Sequence, residues 1–359
     1  MRILHVITSL RTGGAEKLMV DLLPRLKARG LDVDLLLFDG TDTPFRQAAE
    51  QSGIKVMDLG RGGSVYSPVK FFRLLPYLKQ YDIVHTHNTA PQIFAAAGSV
   101  LCSVVLCTTE HNTSNRRRGW RWYAPVDRWV YNRYSRVVCI SGKAEDNLRA
   151  FIGRSKAIIT TINNGIDVAR YASAGASAEL ERIAPHSRKL IMVAGFRWEK
   201  DQDTIIRALR HLPCGFHLFL VGDGVRRSDC ARLAHDCGVA DRVHFLGLRN
   251  DVAELLHAAD YVVMSSHFEG LSLSSVEGMS VGKPFLASDV DGLREVVAGA
   301  GILFPHTDDG KLAADIMRLE SDNTLYCDVA ARCRERAQMY DISKMADEYA
   351  TLYNTQSIK

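Results

Sequence analysis

The sequence predicts two doubly wound α/β domains. Short apolar segments alternate with amphipathic helical segments, this alternation stops once and starts again, and 359 residues suit two domains better than one. Hydrophobic residues make up 47% and charged residues 24% of the chain, which excludes disordered, collagen-like and disulfide-scaffold proteins. The net charge is only +4, which argues against a dedicated nucleic-acid-binding protein.

The predicted strands of the first half are rich in Val, Ile and Leu and are separated by helix-length segments. They lie at 3–8, 33–38, 55–59, 83–86, 104–108 and 137–140. Nearly continuous apolar strands with helical crossovers are typical of parallel sheets that are covered on both faces. In the first predicted helix, Leu18, Leu22 and Leu26 recur at four-residue spacing and predict its buried face.

The second half repeats this organisation after a break. Residues 172–188 are small, polar and turn-prone, and they predict a linker. The strands predicted after it lie at 190–194, 217–221, 243–246, 261–264, 284–287 and 302–304, and the chain from about residue 308 has a helical pattern.

The cysteines and the apolar segments give expectations about the cellular environment. The eight cysteines form no C-x-x-C pair and mostly lie in apolar patterns, so we expect small buried hydrophobes in a reducing compartment. No apolar run reaches the length of a membrane span, and the first ten residues are expected to form a strand and not a signal peptide.

Polar residues that follow the predicted strands carry the functional information, because open parallel sheets bind ligands at the carboxyl ends of their strands. Glu269 and Glu277 flank a Gly-Leu-Ser turn at 270–272 that opens a helix, and the free N–H groups of such a helix suit a phosphate. Glu277 is expected about two turns into that helix, where it can accept hydrogen bonds from a ribose diol. Serine capping with a surface glutamate is the simpler alternative.

Basic residues follow the strand at 190–194. Arg197 and Lys200 leave this strand together and can hold a diphosphate through charge-assisted hydrogen bonds. A solvated pair of charges is the alternative.

Glycines and histidines follow strands in the first half. Gly13 and Gly14 form a turn that lets the backbone approach a phosphate or sugar, but the motif is not G-x-G-x-x-G, which disfavours an NAD-dependent dehydrogenase. The sequences HTHN at 85–88 and TEHN at 109–112 are harder to explain by packing alone. No cluster of Cys or carboxylates completes a metal set near them, and the D-x-D strings at 32–34 and 289–291 are short enough to arise by chance, so we expect no metal.

A basic and aromatic segment follows the second histidine motif. Seven arginines and three of the four tryptophans lie within 116–136, with one acidic residue, which suits an anionic membrane surface or a lipid pyrophosphate. The predicted acceptor- or membrane-contacting residues are Arg116, Arg117, Arg118, Trp120, Arg121 and Trp122. A solvated helix whose tryptophans pack inward is the alternative, and nothing else in the chain supports RNA binding.

In this order, the motifs resemble those of the retaining nucleotide-sugar glycosyltransferases of family 4, which have the GT-B fold. The resemblance rests on GGAE at 13–16, HTHN at 85–88, TEHN at 109–112, NNGID at 163–167, the basic residues at 197 and 200, VGDG at 221–224, FLGLRNDV at 245–252, the two glutamates at 269 and 277, and GKPFLASDVDG at 282–292. It covers nearly the whole chain. It implies two Rossmann-like domains facing a central cleft: an acceptor-binding domain at 1–168 and a nucleotide-sugar-binding domain at 185–338, with a last helix at about 342–355 that packs back onto the first.

The resemblance also implies roles for individual residues. Arg197 and Lys200 would neutralise the departing nucleoside diphosphate, Glu277 would hold the ribose, and Glu269 would lie beside the donor sugar near the reacting carbon. His111 would lie on the far side of the sugar and would be catalytic together with Glu269, Arg197 and Lys200. The remaining residues would contact phosphate, sugar or base; they are Gly13, Gly14, Gly247, Arg249, Gly270, Leu271 and Ser272. No cofactor or essential metal is implied, since the helix dipole and basic side chains would stabilise the developing charge.

The function expected from this resemblance is retaining transfer of a sugar, with UDP as the default nucleotide because it is the commonest in such enzymes. The acceptor is expected to be a glycan or a polyprenyl-pyrophosphate-linked acceptor, in the synthesis of lipopolysaccharide or capsule at the cytoplasmic face of the plasma membrane. A nucleotide-sugar 2-epimerase and a non-catalytic sugar-nucleotide- or membrane-binding module remain as alternatives.

Overall fold

The computed structural model describes residues 1–11, 13–111, 123–153 and 155–355. It consists of two compact units. The first comprises Met1–Gly165 together with the chain from Ile342 onward, and the second comprises Ile166–Asp341.

The described part of the first unit contains a seven-stranded parallel sheet with the strand order β3-β2-β1-β4-β5-β6-β7. Its strands are β1 (Arg2–Ile7), β2 (Asp32–Leu37), β3 (Val56–Asp58), β4 (Ile83–His87), β5 (Val105–Glu110), β6 (Arg136–Cys139) and β7 (Ile158–Thr161). The strand order reverses between β1 and β4, so the loops that follow these two strands diverge to opposite faces of the sheet and leave room for a ligand.

Helices cover both faces of this sheet, as the apolar strands require. They are α1 (Gly14–Ala28), α2 (Pro44–Gln51), α3 (Pro68–Leu78), α4 (Thr89–Gly98), α5 (Ala124–Tyr131), α6 (Gly142–Ile152) and α16 (Ile342–Asn354). The predicted face of α1 is confirmed, because Leu18, Leu22 and Leu26 are all buried. Tyr349 and Tyr353 of α16 are buried in the same hydrophobic core.

The second unit contains a six-stranded parallel sheet with the order β10-β9-β8-β11-β12-β13. Its strands are β8 (Arg188–Val193), β9 (Phe216–Val221), β10 (Val243–Gly247), β11 (Tyr261–Met264), β12 (Phe285–Ser288) and β13 (Ile302–Phe304). The helices are α7 (Val168–Ala172), α8 (Glu179–Ile183), α9 (Gln202–Ala208), α10 (Arg227–Asp236), α11 (Val252–Ala258), α12 (Leu273–Ser280), α13 (Asp291–Val297), α14 (Asp309–Ser321) and α15 (Asn323–Gln338). Here the order reverses between β8 and β11.

The predicted linker at 172–188 is wrong. The segment includes α8, and Leu180 and Ala184 are buried in the hydrophobic core of the second unit. Leu180 anchors this segment in the core, and the average composition of its seventeen residues does not reveal the contribution of a single leucine. The segment is therefore an integral part of the second unit.

The cysteine prediction holds only in part. Each of the eight is a free thiol; Cys107, Cys139, Cys230 and Cys333 are buried, whereas Cys214 and Cys327 are exposed. Burial raises the pKa of Cys107 and Cys230 to about 12, which keeps these thiols protonated and unreactive.

Among the helices of the described residues, none combines the length and apolar character needed to cross a membrane.

Candidate active site

Lys200 and Glu269 meet at the point where the strand order of the second sheet reverses. Lys200 ends a short 3-10 turn after β8, and Glu269 lies in the loop after β11; the two strands are neighbours, with Tyr261 opposite Leu190. The Lys200 Nζ donates to Glu269 Oε1 at 2.5 Å, and the side chains are 25% and 10% exposed. Two motifs 69 residues apart in sequence thus form one partly buried ion pair at the ligand-binding edge of the sheet.

Serine hydroxyls fix the loop that carries Glu269. Ser266 Oγ donates to the same Glu269 oxygen at 2.7 Å, and Ser288 Oγ donates to the Ser266 carbonyl at 2.6 Å. Ser265 Oγ donates to the Asp201 carbonyl at 2.6 Å, which ties this loop to the one that carries Lys200. The carboxylate is therefore held in place by its own loop as well as by the lysine.

The Gly270–Ser272 turn leads into α12, which begins at Leu273. Leu271 and Ser272 are buried, and Ser272 occupies the position that caps the helix. The first turn of a helix leaves backbone N–H groups without intrahelical partners, so the start of α12 has the properties of an anion site beside Lys200 and Glu269.

Gly292, at the start of α13, packs against the backbone of this turn. A Cβ on Gly292 would lie 1.9 Å from the Gly270 carbonyl oxygen and 2.3 Å from that of Glu269. These are main-chain atoms, which cannot rotate away as the end of a side chain can. The missing side chain therefore sets the position of the Glu269–Gly270 loop.

We expect Gly292→Ala to lower the free energy of unfolding by about 1–3 kcal/mol, because the added methyl must displace the backbone of the site. Gly310→Ala is the matched control, since Gly310 is also the second residue of a helix after an aspartate, and its nearest neighbour beyond the adjoining residues is 3.6 Å from the added Cβ. Urea unfolding followed by circular dichroism measures both variants. Equal stability of the two would contradict this role of Gly292.

Close backbone packing also shapes the loop that carries Arg197. A Cβ on Gly222 would lie 2.2 Å from the Ala194 carbonyl oxygen, and one on Gly224 would lie 2.4 Å from that of Phe196. Arg197 itself is exposed, and the structure gives its guanidinium no ion pair with any described residue. Its charge thus remains available to an anionic ligand.

Glu277 lies in the second turn of α12, and Tyr171 holds it there. The Tyr171 hydroxyl donates to Glu277 Oε1 at 2.7 Å. Sequence reasoning missed Tyr171, which belongs to α7 and is 106 residues away from Glu277. Nothing in the sequence around Tyr171 signals this contact.

Arg249 forms ion pairs with two neighbouring carboxylates. It pairs with Glu179 of α8 and with Asp251, each at 2.6 Å. Hydrogen bonds to Asp251 and Glu179 raise the pKa of Arg249 further above its usual range. Gly247 has a left-handed φ of 68° and its carbonyl accepts from the Gly222 amide at 2.8 Å. This geometry gives both residues a structural role, and their contact with a base stays a prediction.

In the first unit, Gly13 and Gly14 lie at the start of α1, after β1. A Cβ on Gly13 would lie 2.1 Å from a carboxylate oxygen of Glu16, whereas one on Gly14 would meet nothing within 4 Å. The packing of the described residues therefore does not require glycine at 14, and the contact of Gly14 with a ligand stays a prediction.

His111 follows β5 and is the end of a chain of buried histidines. Its Nε2 lies 2.9 Å from His87 Nδ1, and His87 Nε2 lies 3.0 Å from His5 Nδ1. Burial lowers the pKa of His111 to about 4 and that of His5 to about 3, so these rings are neutral at pH 7. The sequence predicted His111 as a site residue and singled out the HTHN motif that contains His87, but it did not indicate that His5 continues the same line.

The D-x-D strings are accounted for by protein contacts. Asp34 accepts from the Tyr81 hydroxyl at 2.5 Å, and Asp289 pairs with Arg294 at 2.6 Å. In the described part of the chain, one group of side chains could hold a metal ion. It consists of Asp201, His267 and His306, whose ligand atoms all lie within 4.8 Å of one another. His267 Nδ1 and His306 Nε2 lie 2.7 Å apart, at hydrogen-bonding distance without a metal.

The predicted acceptor- or membrane-contacting residues lie outside the described residues. They are Arg116, Arg117, Arg118, Trp120, Arg121 and Trp122. Farther along the same segment, Tyr131 and Tyr134 are buried, while Trp129 is 45% exposed.

Comparison with known proteins defines the class. Residues 178–339 match the family model described as glycosyl transferases group 1, and residues 12–170 match that described as glycosyltransferase family 4. A crystal structure of Anabaena Alr3699/HepE in complex with UDP superposes with a TM-score of 0.87 at 23% identity, covering 99% of this chain and 100% of that one. The chain is a glycosyltransferase of the GT-B type, with two Rossmann-like domains.

Curated relatives extend over most of the chain. Glycogen synthase of Mycobacterium tuberculosis is 28% identical over 287 residues, which is 76% of this chain and 68% of that protein. An Escherichia coli UDP-Gal:alpha-D-GlcNAc-diphosphoundecaprenol alpha-1,3-galactosyltransferase is 25% identical over 306 residues, which is 80% of this chain and 78% of that protein.

Proposed function

We propose that this glycosyltransferase moves a sugar from a nucleoside-diphosphate sugar to a lipid-linked glycan, with retention of anomeric configuration. The observation that carries the proposal is the Lys200–Glu269 pair at the reversal point of the second sheet, beside the start of α12. The names of similar proteins support the substrates, since HepE has been crystallised with UDP-glucose and the Escherichia coli relative uses a UDP-galactose donor.

Positive charge at this site stabilises the leaving diphosphate. A lysine ammonium has three N–H donors, of which one is directed to Glu269, so the others can donate to phosphate oxygens. Arg197 supplies a second cation and the N–H groups of α12 supply uncharged donors. The protein thereby provides the stabilisation that a divalent metal gives elsewhere, and no metal enters the proposed reaction.

Retention follows from attack on the face from which the diphosphate departs. The bond from the anomeric carbon to the diphosphate oxygen breaks, the acceptor hydroxyl forms the new bond to the same face, and its proton passes to the departing diphosphate. Glu269 lies beside the reacting carbon and stabilises its positive charge, while Glu277 accepts hydrogen bonds from the ribose.

The acceptor assignment rests on the basic and aromatic segment at 116–122 and on the diphosphoundecaprenol in the name of the Escherichia coli relative. Arginines interleaved with tryptophans bind anionic lipid surfaces and pyrophosphate groups. We place the enzyme at the cytoplasmic face of the plasma membrane, in surface-polysaccharide synthesis.

A donor panel tests this function. The purified protein is incubated with UDP-, GDP- and ADP-sugars and a polyprenyl-pyrophosphate glycan, with and without EDTA, and the product is analysed by NMR. We expect one nucleotide to be released, a product with the anomeric configuration of the donor, and no effect of EDTA. An inverted product would contradict retention, and conversion of the donor to its 2-epimer without acceptor would establish an epimerase instead.

Glu277→Gln is expected to raise the Kd for the nucleoside diphosphate about tenfold to a hundredfold, with a smaller change in kcat. The amide loses charge-assisted hydrogen bonds to the ribose, each contributing about 1.5–3 kcal/mol. Isothermal titration calorimetry measures the Kd, and Glu254→Gln, an exposed glutamate on α11, is the control. An unchanged Kd in Glu277→Gln would exclude the ribose contact.

A further inference from the structure

Seven polar groups of the first unit form one hydrogen-bonded chain that leads from His111 into the core. Beyond His5, the chain continues from His5 Nε2 to the Tyr353 hydroxyl at 3.2 Å and from that hydroxyl to His85 Nδ1 at 2.7 Å. It ends with His85 Nε2 to Thr109 Oγ1 at 2.8 Å and Thr109 Oγ1 to the Tyr349 hydroxyl at 3.0 Å.

The fold aligns these groups through strand register. His5 of β1 is the register partner of His85 of β4, and their rings stack with centroids 5.1 Å apart. His87 lies two residues further along β4, with its ring 4.7 Å from that of His85. Because side chains alternate along a strand, His85 and His87 share one face of the sheet, which α16 covers with its two tyrosines.

A neutral imidazole has one N–H donor and one acceptor nitrogen, so the protons of this chain have two continuous orders. In any other order the Tyr353 or Thr109 hydroxyl accepts from both neighbours, which leaves its own buried proton without an acceptor. If they point inward, every ring carries its proton on Nε2, and Tyr349 keeps a hydroxyl proton that has no acceptor. If they point outward, every ring carries its proton on Nδ1, and the last donor is the Nδ1–H of His111.

The two orders differ in where the unpaired donor lies. An unpaired buried donor costs about 1–3 kcal/mol, whereas an unused acceptor oxygen is more easily tolerated. Tyr349 is only 1% exposed, and no second partner for its hydroxyl lies among the described residues, so neither solvent nor ligand can relieve an inward order. His111 is half-buried at the end of a strand, and its Nδ1 is a buried atom without a partner in the described structure.

We propose that this chain fixes His111 as the Nδ1–H tautomer, so that it donates a hydrogen bond to an oxygen of the bound ligand. The oxygen belongs to a sugar hydroxyl or to a phosphoryl group. His87 is the positioning residue, since its Nδ1–H occupies the Nε2 lone pair of His111. His111 in this form has no free lone pair and does not act as a general base.

This inference rests on the proposed function only for the identity of the ligand. The tautomer is a property of the protein alone, and it is measured without substrate. Lowered pKa values throughout the histidine chain keep the rings neutral at pH 7, where neutral tautomers can be compared.

The test is long-range proton–nitrogen NMR on protein labelled with 15N-histidine, because protonated and unprotonated ring nitrogens differ widely in nitrogen shift. His111→Gln identifies the signals of His111. We expect His5, His85, His87 and His111 all to carry the proton on Nδ1, the less common form in free histidine. A His111 that carries it on Nε2, or that exchanges between both forms, would overturn the proposal.

Substitution of His87 tests the positioning role. His87→Phe removes the donor to His111 and should return His111 to a mixture of tautomers. His87→Asn should restore the Nδ1–H form, because the asparagine amide places an N–H where the imidazole Nδ1 was. Tyr353→Phe cuts the chain beyond His5 and should leave His111 unchanged, because an inward order of the three remaining rings would still leave a buried donor, the Nε2–H of His5, without an acceptor. A fixed Nδ1–H form in a folded His87→Phe, or its loss in a folded His87→Asn, would refute the role of His87.

Ligand titration separates the two sources of oxygen. A change in the His111 signals on adding UDP would identify a phosphoryl oxygen, and a change that requires UDP-glucose would identify a sugar hydroxyl. Signals that move with neither, in protein shown by calorimetry to bind UDP, would refute the contact. If no nucleotide binds while the Nδ1–H form is observed, the proposed function fails and the tautomer assignment stands.

Discussion

Lys200→Ala is expected to lower kcat by about a hundredfold to a thousandfold while the protein stays folded. The substitution removes one preorganised hydrogen-bond donor, the Lys200 ammonium, to the negative charge that develops on the departing diphosphate. The Nζ of Lys200 is held 2.5 Å from Glu269, at the end of a turn that one backbone hydrogen bond, from the His267 amide to the Glu199 carbonyl, ties to the Glu269 loop. No solvent reorganisation is therefore needed when the diphosphate departs. Steady-state kinetics at saturating donor measure the effect.

The second unit supplies a matched control for this substitution. Lys311 pairs with Asp315 on α14, also at 2.5 Å, and lies outside the loops that follow β8 and β11. Lys311→Ala removes an ion pair of the same length and should leave kcat nearly unchanged. If the two variants lose activity equally, the effect reflects general destabilisation and Lys200 has no special role.

Glu269→Gln is expected to lower kcat by about a hundredfold. The amide is nearly the same size and can still accept from Ser266, so the loop keeps its shape. The change removes the negative charge that orients Lys200 and that would stabilise the reacting carbon. Glu199→Gln, in the neighbouring loop, is the control, because the contact of Glu199 with the site runs through its carbonyl, which accepts from the His267 amide.

The double variant gives a sharper result than either single one. If Lys200 and Glu269 act as a unit, Lys200→Ala combined with Glu269→Gln should be about as slow as the slower single variant. If the double variant instead reduces kcat by the product of the two single reductions, the ion pair is not the functional unit.

Sequence patterns predicted the residues that carry charge and the strands that position them. The loops with Lys200 and Glu269 follow apolar strands, and such loops meet in any doubly wound sheet whose order reverses between those strands. Contacts that depend on packing between distant segments gave no such signal. Tyr171 reaches Glu277 from a helix of five residues, and Gly292 supports the Glu269 loop simply by lacking a side chain.

The histidine chain is a second example of contacts between distant segments that the sequence did not predict. The sequence placed His85, His87 and His111 at strand ends. The groups that complete their hydrogen bonds come from segments that are far apart in the sequence. His5 lies on the first strand, and Tyr349 and Tyr353 lie on the last helix. Only the folded sheet, with α16 packed on it, brings them into one line.

Binding of a nucleoside diphosphate to the second unit is the central claim, and a thermal-shift panel tests it most directly. UDP, GDP, ADP and NAD are each added to the wild type and to Lys200→Ala, without metal. A ligand that binds only the folded state raises Tm by mass action. We predict that one nucleoside diphosphate, expected to be UDP, raises the Tm of the wild type. The same ligand should raise the Tm of Lys200→Ala much less. Stabilisation by NAD alone, or by none of the four at any concentration, would contradict the assignment of this site.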